Sequence, residues 1–154
     1  MAIWEYYRFG DSSQLFNFLN GALIGTENLV EGADVDGLEF TVDVGAGDQT
    51  TTFTAKGRLW TMDEVVAAIN ATVPGLARGY SRNSPTHQLR GLDQRLMLLR
   101  DGTLTVDKDG TANAVLGFPT AADTVADPIT TSELISIVYR NSGATDLWLA
   151  VVYR

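Results

Sequence analysis

Residues 38–73 read LEFTVDVGAGDQTTTFTAKGRLWTMDEVVAAINATV, and the hydrophobic pattern changes its period along this stretch. Over residues 38–44 apolar and polar side chains alternate, which is typical of a strand with one buried face. The glycine-rich break at 45–48 is typical of a turn, and the threonine-rich run at 49–54 has the β-branched composition of a strand. The sequence therefore predicts a β-hairpin.

A helix signal follows this hairpin. Thr61 stands three residues before Glu64, a spacing that lets each side chain accept a hydrogen bond from the other residue's backbone amide in a capping box. Trp60, directly before the cap, is placed to pack on Val65 as a hydrophobic staple. The apolar residues at helical spacing are Met62, Val65, Val66, Ile69 and Val73. The Pro-Gly pair at 74–75 stops the run, and the helix is predicted to cover the apolar face of the hairpin.

The N-terminal part of the sequence predicts a strand and another amphipathic helix. Residues 3–9 are rich in aromatic side chains, which favour strands. Asp11 can cap a helix, and Gln14 at the third helical position makes a weaker capping box. The apolar side of this helix is predicted to contain Leu15, Phe16, Phe18, Leu19 and Leu23. Gly25 is predicted to end the helix.

Two further hairpins are predicted in the second half of the chain. The runs 95–100 and 103–107 flank an Asp-Gly pair at 101–102, which is typical of a type I′ turn, so these runs are predicted to pair with each other. The β-rich runs 134–139 and 147–153 are predicted to form a third hairpin near the C-terminus.

A strand and a short helix complete the predicted elements. Residues 76–81 are predicted to form a strand. Thr111 is predicted to cap a short helix over residues 112–116, and Gly117 is predicted to end it. Together these elements predict an α+β fold of antiparallel β-hairpins packed with two amphipathic helices.

Length and composition predict a single α+β domain. The chain has 154 residues, of which 45% are apolar and 19% are charged, as in folded globular domains. We divide this domain into an N-terminal strand and helix at 1–36, a hairpin-helix-hairpin module at 37–118 and a C-terminal β-hairpin at 119–154.

The charge balance disfavours nucleic acid and membranes as partners. The chain has 11 scattered basic residues and 19 acidic ones, a net charge of −8, whereas nucleic acid and anionic membrane surfaces bind clustered lysine or arginine. Cysteine is absent from the sequence, which excludes disulfides and thiolate metal sites. The sequence has neither an apolar run of about 18–20 residues nor a basic leader, so we expect a protein kept in the cytoplasm or packed into a particle assembled there.

No combination of residues predicts a catalytic, cofactor or metal site. The lone histidine, His87, lies in a polar stretch without a nucleophile motif, which favours a surface loop over a catalytic triad. The stretch 107–110 lacks the later acids of a calcium loop, and the glycines at 45–47 lack the spacing of a dinucleotide fingerprint. Asp34 and Asp36 are paired carboxylates of the kind used in acid–base catalysis, although solvated loop acids are far commoner.

Aromatic residues near both ends of the chain are the candidate interface residues. Most aromatic side chains belong to the core, but exposed ones are the rigid anchors that dominate subunit interfaces. Both roles stay open at this point for Trp4, Tyr6, Tyr7, Trp148 and Tyr153.

Four segments of the sequence carry a resemblance to a known family. These segments are 38–44, 50–54, 61–71 and 110–118. In this order they resemble a small module found in structural proteins of tailed bacteriophages and in flagellar hook-associated proteins. The resemblance covers residues 37–118, and its most characteristic parts are Ala-Ile-Asn-Ala at 68–71 and Leu-Gly-Phe at 116–118.

The resemblance implies a virion structural protein without enzymatic activity or cofactor, located in a virion that is assembled in the host cytoplasm. A short, acidic, cysteine-free domain favours a capsid decoration or cement protein, with the major capsid protein and copies of itself as partners. A tail, neck or adaptor component of the virion is the alternative, and a flagellar role is disfavoured because long helical ends are absent. Outside this class, a small ligand- or carbohydrate-binding module is the second alternative.

Overall fold

The computed structural model describes residues 4–81, 93–130, 133–142 and 145–153, which form ten strands and three helices. In chain order the elements are β1 (Trp4–Phe9), α1 (Ser12–Asn20), β2 (Ala22–Ile24), β3 (Glu39–Asp43), β4 (Asp48–Thr52), α2 (Met62–Thr72), β5 (Ala77–Ser81), β6 (Gln94–Leu99), β7 (Thr105–Val106), α3 (Asn113–Leu116), β8 (Thr124–Val125), β9 (Leu134–Ser142) and β10 (Thr145–Tyr153). The described strands form three antiparallel sheets, with the orders β1-β10-β9, β2-β6-β5 and β4-β3-β7-β8. The predicted α+β class is confirmed.

The first predicted hairpin is confirmed as β3 and β4. Phe40 and Val42 on β3 are buried, as the alternation predicts. In the turn, the Asp43 carboxylate accepts hydrogen bonds from the amides of Gly45 (2.7 Å) and Gly47 (3.3 Å). Both glycines have positive φ angles, of 100° and 92°, which other residues rarely adopt.

Helix α2 begins with the predicted capping box. The Glu64 amide donates a hydrogen bond to the Thr61 hydroxyl (3.2 Å), and the Thr61 amide donates one to the Glu64 carboxylate (2.9 Å). The helix buries Met62, Val65 and Ile69. It packs on β4, as the sequence predicts, and also on β5 and β6. Helix α2 therefore covers two sheets rather than the hairpin alone.

The second predicted hairpin is wrong, because the runs 95–100 and 103–107 belong to different sheets. β6 lies in the centre of the β2-β6-β5 sheet, and β7 pairs with β3 and β8. Side chains 96–99 of β6 are all buried and alternate between two hydrophobic clusters. A strand buried on both faces has a continuous apolar run, and its long-range packing outweighs the local turn preference of the Asp-Gly pair.

The described residues bury two hydrophobic clusters, one on each side of the β2-β6-β5 sheet. The cluster shared with α2 and the β4-β3-β7-β8 sheet includes Phe40, Val42, Val65, Leu96 and Leu98. The cluster shared with α1 and the β1-β10-β9 sheet includes Tyr7, Phe18, Met97, Leu99 and Ala150. Strand β6 is therefore part of both cores.

Helix α1 begins at the predicted cap. The Asp11 carboxylate accepts a hydrogen bond from the Ser13 amide (2.7 Å). Gln14, which the sequence predicts as the second member of a capping box, has a different partner. Its Oε1 accepts a hydrogen bond from the Arg78 guanidinium (2.9 Å). Gln14 therefore links α1 to β5 instead of stabilising its own helix end.

The C-terminal end of α1 differs from the prediction, because Gly21 and not Gly25 caps the helix. Leu23 consequently lies on β2, and Phe16 is exposed rather than part of the apolar side. Glycine is required at position 25 for a different reason. A Cβ atom at this position collides with the backbone carbonyl oxygen of Leu116, so only glycine allows this close approach.

Helix α3 ends as predicted, at Gly117 with a left-handed φ of 87°. Its start differs, because Ala112 occupies the cap position and no side chain caps the helix. The Thr111 hydroxyl instead accepts a hydrogen bond from the Glu39 amide (2.9 Å). Thr111 therefore joins the start of α3 to β3.

The other predicted strands are confirmed. β1 and β5 lie within the predicted runs 3–9 and 76–81, of which residue 3 is outside the described residues, and the third predicted hairpin corresponds to β9 and β10. β1 pairs with β10, so the sheet β1-β10-β9 combines strands from the two ends of the described chain.

Candidate interaction surface

The sheet β1-β10-β9 brings together the segments that carry the five candidate interface aromatics. In the register of the three strands, Tyr7 lies opposite Ala150, which lies opposite Ile137. Tyr6 lies opposite Val151. Because neighbouring residues on a strand point to opposite faces, Tyr7 and Tyr6 lie on different faces of the sheet. We call these the core face and the outer face.

Tyr7 lies on the core face and is only 4% exposed. Its ring lies against Phe18, with centroids 4.4 Å apart, and against Tyr80, with centroids 5.0 Å apart. Its hydroxyl donates a hydrogen bond to the Glu5 carboxylate. Of the two roles left open by the sequence, Tyr7 has the core role, and it is not available as an anchor for a partner.

The outer face carries two of the other candidates. Tyr6 and Tyr153 are each 42% exposed, and the alternation along β1 and β10 places both on this face. Leu149, half-buried, lies opposite the exposed Val138 and continues the apolar surface onto β9. Trp4 lies opposite Tyr153 in the register, and its side chain is outside the described part of the chain.

Trp148 lies at the boundary between the core and the surface. It is half-buried and packs against the cluster that contains Tyr7. Its ring centroid lies 4.4 Å from that of Tyr139, which is half-exposed. Trp148 therefore supports the position of β9 more than it offers a surface to a partner.

Strand β9 exposes apolar side chains on both faces. The exposed fractions are 42–50% for Ile135, Ile137, Val138 and Tyr139. Helix α1 packs on β1 and β10, so the core-face side chains of β9 extend beyond its cover. The sequence predicts this strand but not its exposure. The available signal was the run 134–139, which contains no charged residue.

A shallow depression of about 290 Å³ lies beside Trp60. It is lined by Val30, Glu31, Gly32, Leu59, Trp60, Thr61, Met62, Asp63 and Gln94. The indole N–H of Trp60 donates to the Asp36 carboxylate (2.7 Å), and the Lys56 ammonium lies 3.8 Å from the ring centroid. The polar edge and one face of this indole are therefore used inside the chain.

Asp36, one of the two paired acids, is a structural hydrogen-bond acceptor. Its carboxylate accepts hydrogen bonds from the Lys56 amide (3.0 Å) and the Gly57 amide (2.6 Å), besides the bond from Trp60. These bonds, above all the one from the Lys56 amide, hold the pKa of Asp36 below its usual value. Asp34 is exposed. This arrangement favours a structural role for Asp36 over acid–base catalysis.

The stretch 107–110 forms a turn, as the sequence indicates. The Asp107 carboxylate accepts a hydrogen bond from the Asp109 amide (2.7 Å), and the Lys108 ammonium pairs with the Asp109 carboxylate (2.7 Å). Among the described residues, no group of three or more His, Cys, Asp or Glu side chains is placed to hold a metal ion. Within the same ranges, no helix has the length and hydrophobicity to cross a membrane. His87 lies outside the described residues.

Comparison with known proteins gives no match, whether with protein-family models, curated proteins or solved structures. The resemblance of residues 37–118 to a module of phage and flagellar proteins therefore stays a prediction. The functional interpretation depends on the outer face and on β9.

Proposed function

We propose that this chain is a non-enzymatic structural protein of a tailed-bacteriophage virion, and that it acts as a capsid decoration or cement protein. In this role it stabilises the head through contacts with the major capsid protein and other virion proteins. The observation that carries the proposal is the group of exposed side chains Tyr6, Tyr153 and Val138 on the outer face of the β1-β10-β9 sheet, around the buried Val151. The resemblance of residues 37–118 supplies the class of protein.

The outer face has the composition of a protein contact surface. Tyr6 and Tyr153 are rigid aromatic side chains, and such residues carry much of the binding energy of interfaces. Arg8, which is also exposed on this face, belongs to a residue type enriched in interfaces. Leu149 and Val138 extend the apolar area across the sheet. Contiguous exposed apolar patches mark interaction sites more often than single apolar residues do.

Moderate contacts are sufficient for this role. A standard protein interface buries about 1,600 Å² in total, and its affinity varies widely. On a shell, the same contact is repeated by symmetry, so linked subunits hold the particle much more strongly than one contact does. A small domain is therefore adequate for the proposed task.

A tail, neck or adaptor protein of the same virion is the alternative, and it uses the same surface at lower copy number. A ligand- or carbohydrate-binding module is the second alternative, and such a module needs an open groove with accessible aromatic faces. The depression beside Trp60 is the candidate for that groove. The contacts of the indole with Asp36 and Lys56 favour a structural role for Trp60.

Quantitative mass spectrometry of purified virus particles tests the proposed class. On the order of hundreds of copies per particle supports head decoration, whereas about six or twelve copies supports a ring in the tail or neck. Absence of the chain from purified particles overturns the proposal.

Two truncations of the outer face test the contact itself. Since an interface aromatic often contributes at least about 2 kcal/mol, Tyr6→Ala and Tyr153→Ala are each expected to weaken binding to particles lacking the chain by about 30-fold. Phe16→Ala is the matched control, because Phe16 is an exposed aromatic residue on α1. Unchanged binding of both tyrosine variants shows that the contact lies elsewhere on the chain.

A further inference from the structure

Strand β9 is an exposed edge strand. Within the described ranges it pairs with β10 on one side, so the other edge of this nine-residue strand points its backbone amides and carbonyls away from the sheet. The side chains that are 42–50% exposed lie on both of its faces, and they are Ile135, Ile137, Val138 and Tyr139. With respect to the described residues, the free backbone edge of β9 and these four side chains are therefore accessible to another strand.

This edge has little of the protection that soluble monomers normally place on edge strands. Lysines, prolines, inward-pointing charges and bulges usually prevent an edge from pairing with another chain. Residues 134–139 read LISIVY and contain neither a charge nor a proline. One of these devices is present, because the register places a bulge at Ile135, between the pairs Ser136–Val151 and Leu134–Val152, whereas residues 136–142 pair with β10 in regular register. The first charged residue of the strand is Arg140.

The distribution of charge favours a second copy of the chain as the partner. The three strands of the sheet contain two acidic residues, Glu5 and Asp146, and two basic residues, Arg8 and Arg140. The sheet is therefore neutral, and the whole net charge of −8 lies in the rest of the chain. Two acidic copies repel each other least when they approach along this neutral sheet.

We propose that β9 pairs antiparallel with β9 of a second copy and joins the two β1-β10-β9 sheets into one six-stranded sheet. The same edge serves on both copies, as a two-fold symmetric interface requires. The inference deepens the proposed function and rests on it for its role, because the joined sheets place two outer faces side by side for one larger contact with the virion.

The sequence of β9 is suited to pairing with itself. Residues that direct their amide and carbonyl to one edge alternate along a strand, so a symmetric antiparallel pair places one residue opposite its own copy. With Ile137 at this point, Ser136 lies opposite the second copy's Val138, in the part of β9 that follows the bulge. Arg140, the only charged residue of β9, then lies beside the uncharged start of the second copy's strand, so like charges are not opposed.

Sedimentation equilibrium of the full chain tests the pairing. The expected mass is twice that of the 16.7 kDa chain. Ile135→Lys combined with Val138→Lys is expected to raise the dissociation constant at least about tenfold, because lysines on an edge strand oppose pairing. Val125→Lys is the matched control, since Val125 is an exposed valine on β8, at the edge of another sheet. A monomeric wild-type chain at about 100 µM, or a double variant that associates like the wild type, overturns the proposal.

Cysteine cross-linking tests the same pairing without adding charge. The chain contains no cysteine, so Ser136→Cys, Ile137→Cys and Val138→Cys each carry one thiol. Directly opposite Cα atoms in an antiparallel pair lie about 4.5–5.5 Å apart, which a disulfide spans. The residue at the two-fold axis is therefore expected to form a covalent dimer under mild oxidation. Yields no higher than that of Val125→Cys at all three positions overturn the proposal.

The tests separate this inference from the proposed function. A monomeric chain that is abundant in particles overturns the pairing and leaves the function supported. A dimer that is absent from particles supports the pairing and overturns the function. Cross-linking of a β9 cysteine to a different virion protein also overturns the pairing, because the occupant of the edge is then not a second copy.

Discussion

Strands β6 and β9 have similar apolar sequences in opposite surroundings. β6 contains Leu-Met-Leu-Leu at 96–99, and each of these side chains is at most 3% exposed. β9 contains Leu-Ile-Ser-Ile-Val-Tyr at 134–139, and four of these side chains are 42–50% exposed. A hydrophobic cluster covers each face of β6, whereas β9 extends past the cover that α1 provides for its neighbours.

This difference shows what a continuous apolar run signifies. Such a run is typical of strands that are buried on both faces. For β6, other parts of the same chain provide both covers. For β9, the described part of the chain leaves the side chains partly in water, and a second copy supplies the missing cover in our proposal. Under that proposal, the pattern reports burial in the assembly and not only in the isolated chain.

Truncation of a buried side chain in β6 is expected to have the largest effect. Leu98 is fully buried, so Leu98→Ala should lower the free energy of unfolding by about 3 kcal/mol through lost burial and a new cavity. Val138→Ala on β9 is the comparison, and it should cost less than about 1 kcal/mol at low protein concentration. Urea denaturation measures both values. Similar losses at low concentration contradict the contrast between the two strands.

Hydrogen exchange is expected to show a somewhat smaller free-energy difference between the two strands. Amides of β6 lie between two cores and should exchange at least about 30-fold more slowly than those of β9, a difference of about 2 kcal/mol. Increasing the protein concentration should slow exchange in β9, because pairing protects its edge. Strand β8, at the edge of another sheet, is the internal control and should not respond. Concentration-independent exchange in β9 contradicts its pairing.

The cap of α2 is expected to have an intermediate effect, because it acts on β6 indirectly, through the packing of α2 on β5 and β6. Thr61→Ala removes the hydroxyl that accepts the Glu64 amide hydrogen bond, and it should lower stability by about 1 kcal/mol. Thr120→Ala is the control, since Thr120 is an exposed loop threonine. Thermal and urea unfolding measure the change. An equal loss of stability in the two variants shows that the cap does not stabilise the packing of α2 on β5 and β6.

Acid is expected to destabilise the capped start of α2, and this is the smallest of the expected effects. Hydrogen bonds from the Arg58 guanidinium (2.6 and 2.9 Å), followed by the one from the Thr61 amide, hold the pKa of Glu64 well below its ordinary value of 4.5. Because the pKa is lowered in the folded state, this stabilisation is complete above pH 4.5 and declines as the pH falls toward the folded value. Salt screens the pair, since the carboxylate is 27% exposed.

Glu64→Gln provides the test of this pH dependence. The variant removes the titrating group, so its urea stability should fall less steeply than that of the wild type between about pH 5 and pH 3. The difference between the two curves isolates the contribution of Glu64. Parallel curves contradict the assignment.

The features of the fold that depend on neighbouring residues were predictable from the sequence. The hairpin at 38–54 and the capping box of Thr61 and Glu64 are decided by alternation, turn glycines and a three-residue spacing. The role of Thr111 was not predictable in this way, because its partner, the Glu39 amide, lies 72 residues away in the chain. The same holds for Gly25, which is required by its approach to Leu116.

The candidate surface was predictable only in part. Adjacent residues of a strand point to opposite faces, so Tyr6 and Tyr7 must differ in their surroundings. Which of the two faces the core depends on where α1 packs, and this depends on long-range contacts with Phe18 and Tyr80. The exposure of β9 depends likewise on where α1 stops covering the sheet.

The pairing of β1 with β10 also has a consequence for biosynthesis. The backbone pairing of Trp4 with Tyr153 joins positions near the two ends of the described chain, and strands so far apart in sequence pair slowly. During translation, Tyr7 and Phe9 lack the β10 side of their core until β10 leaves the ribosome. We therefore expect the nascent chain to be a substrate for chaperones, and chains truncated before β10 to be degraded rather than released as stable domains.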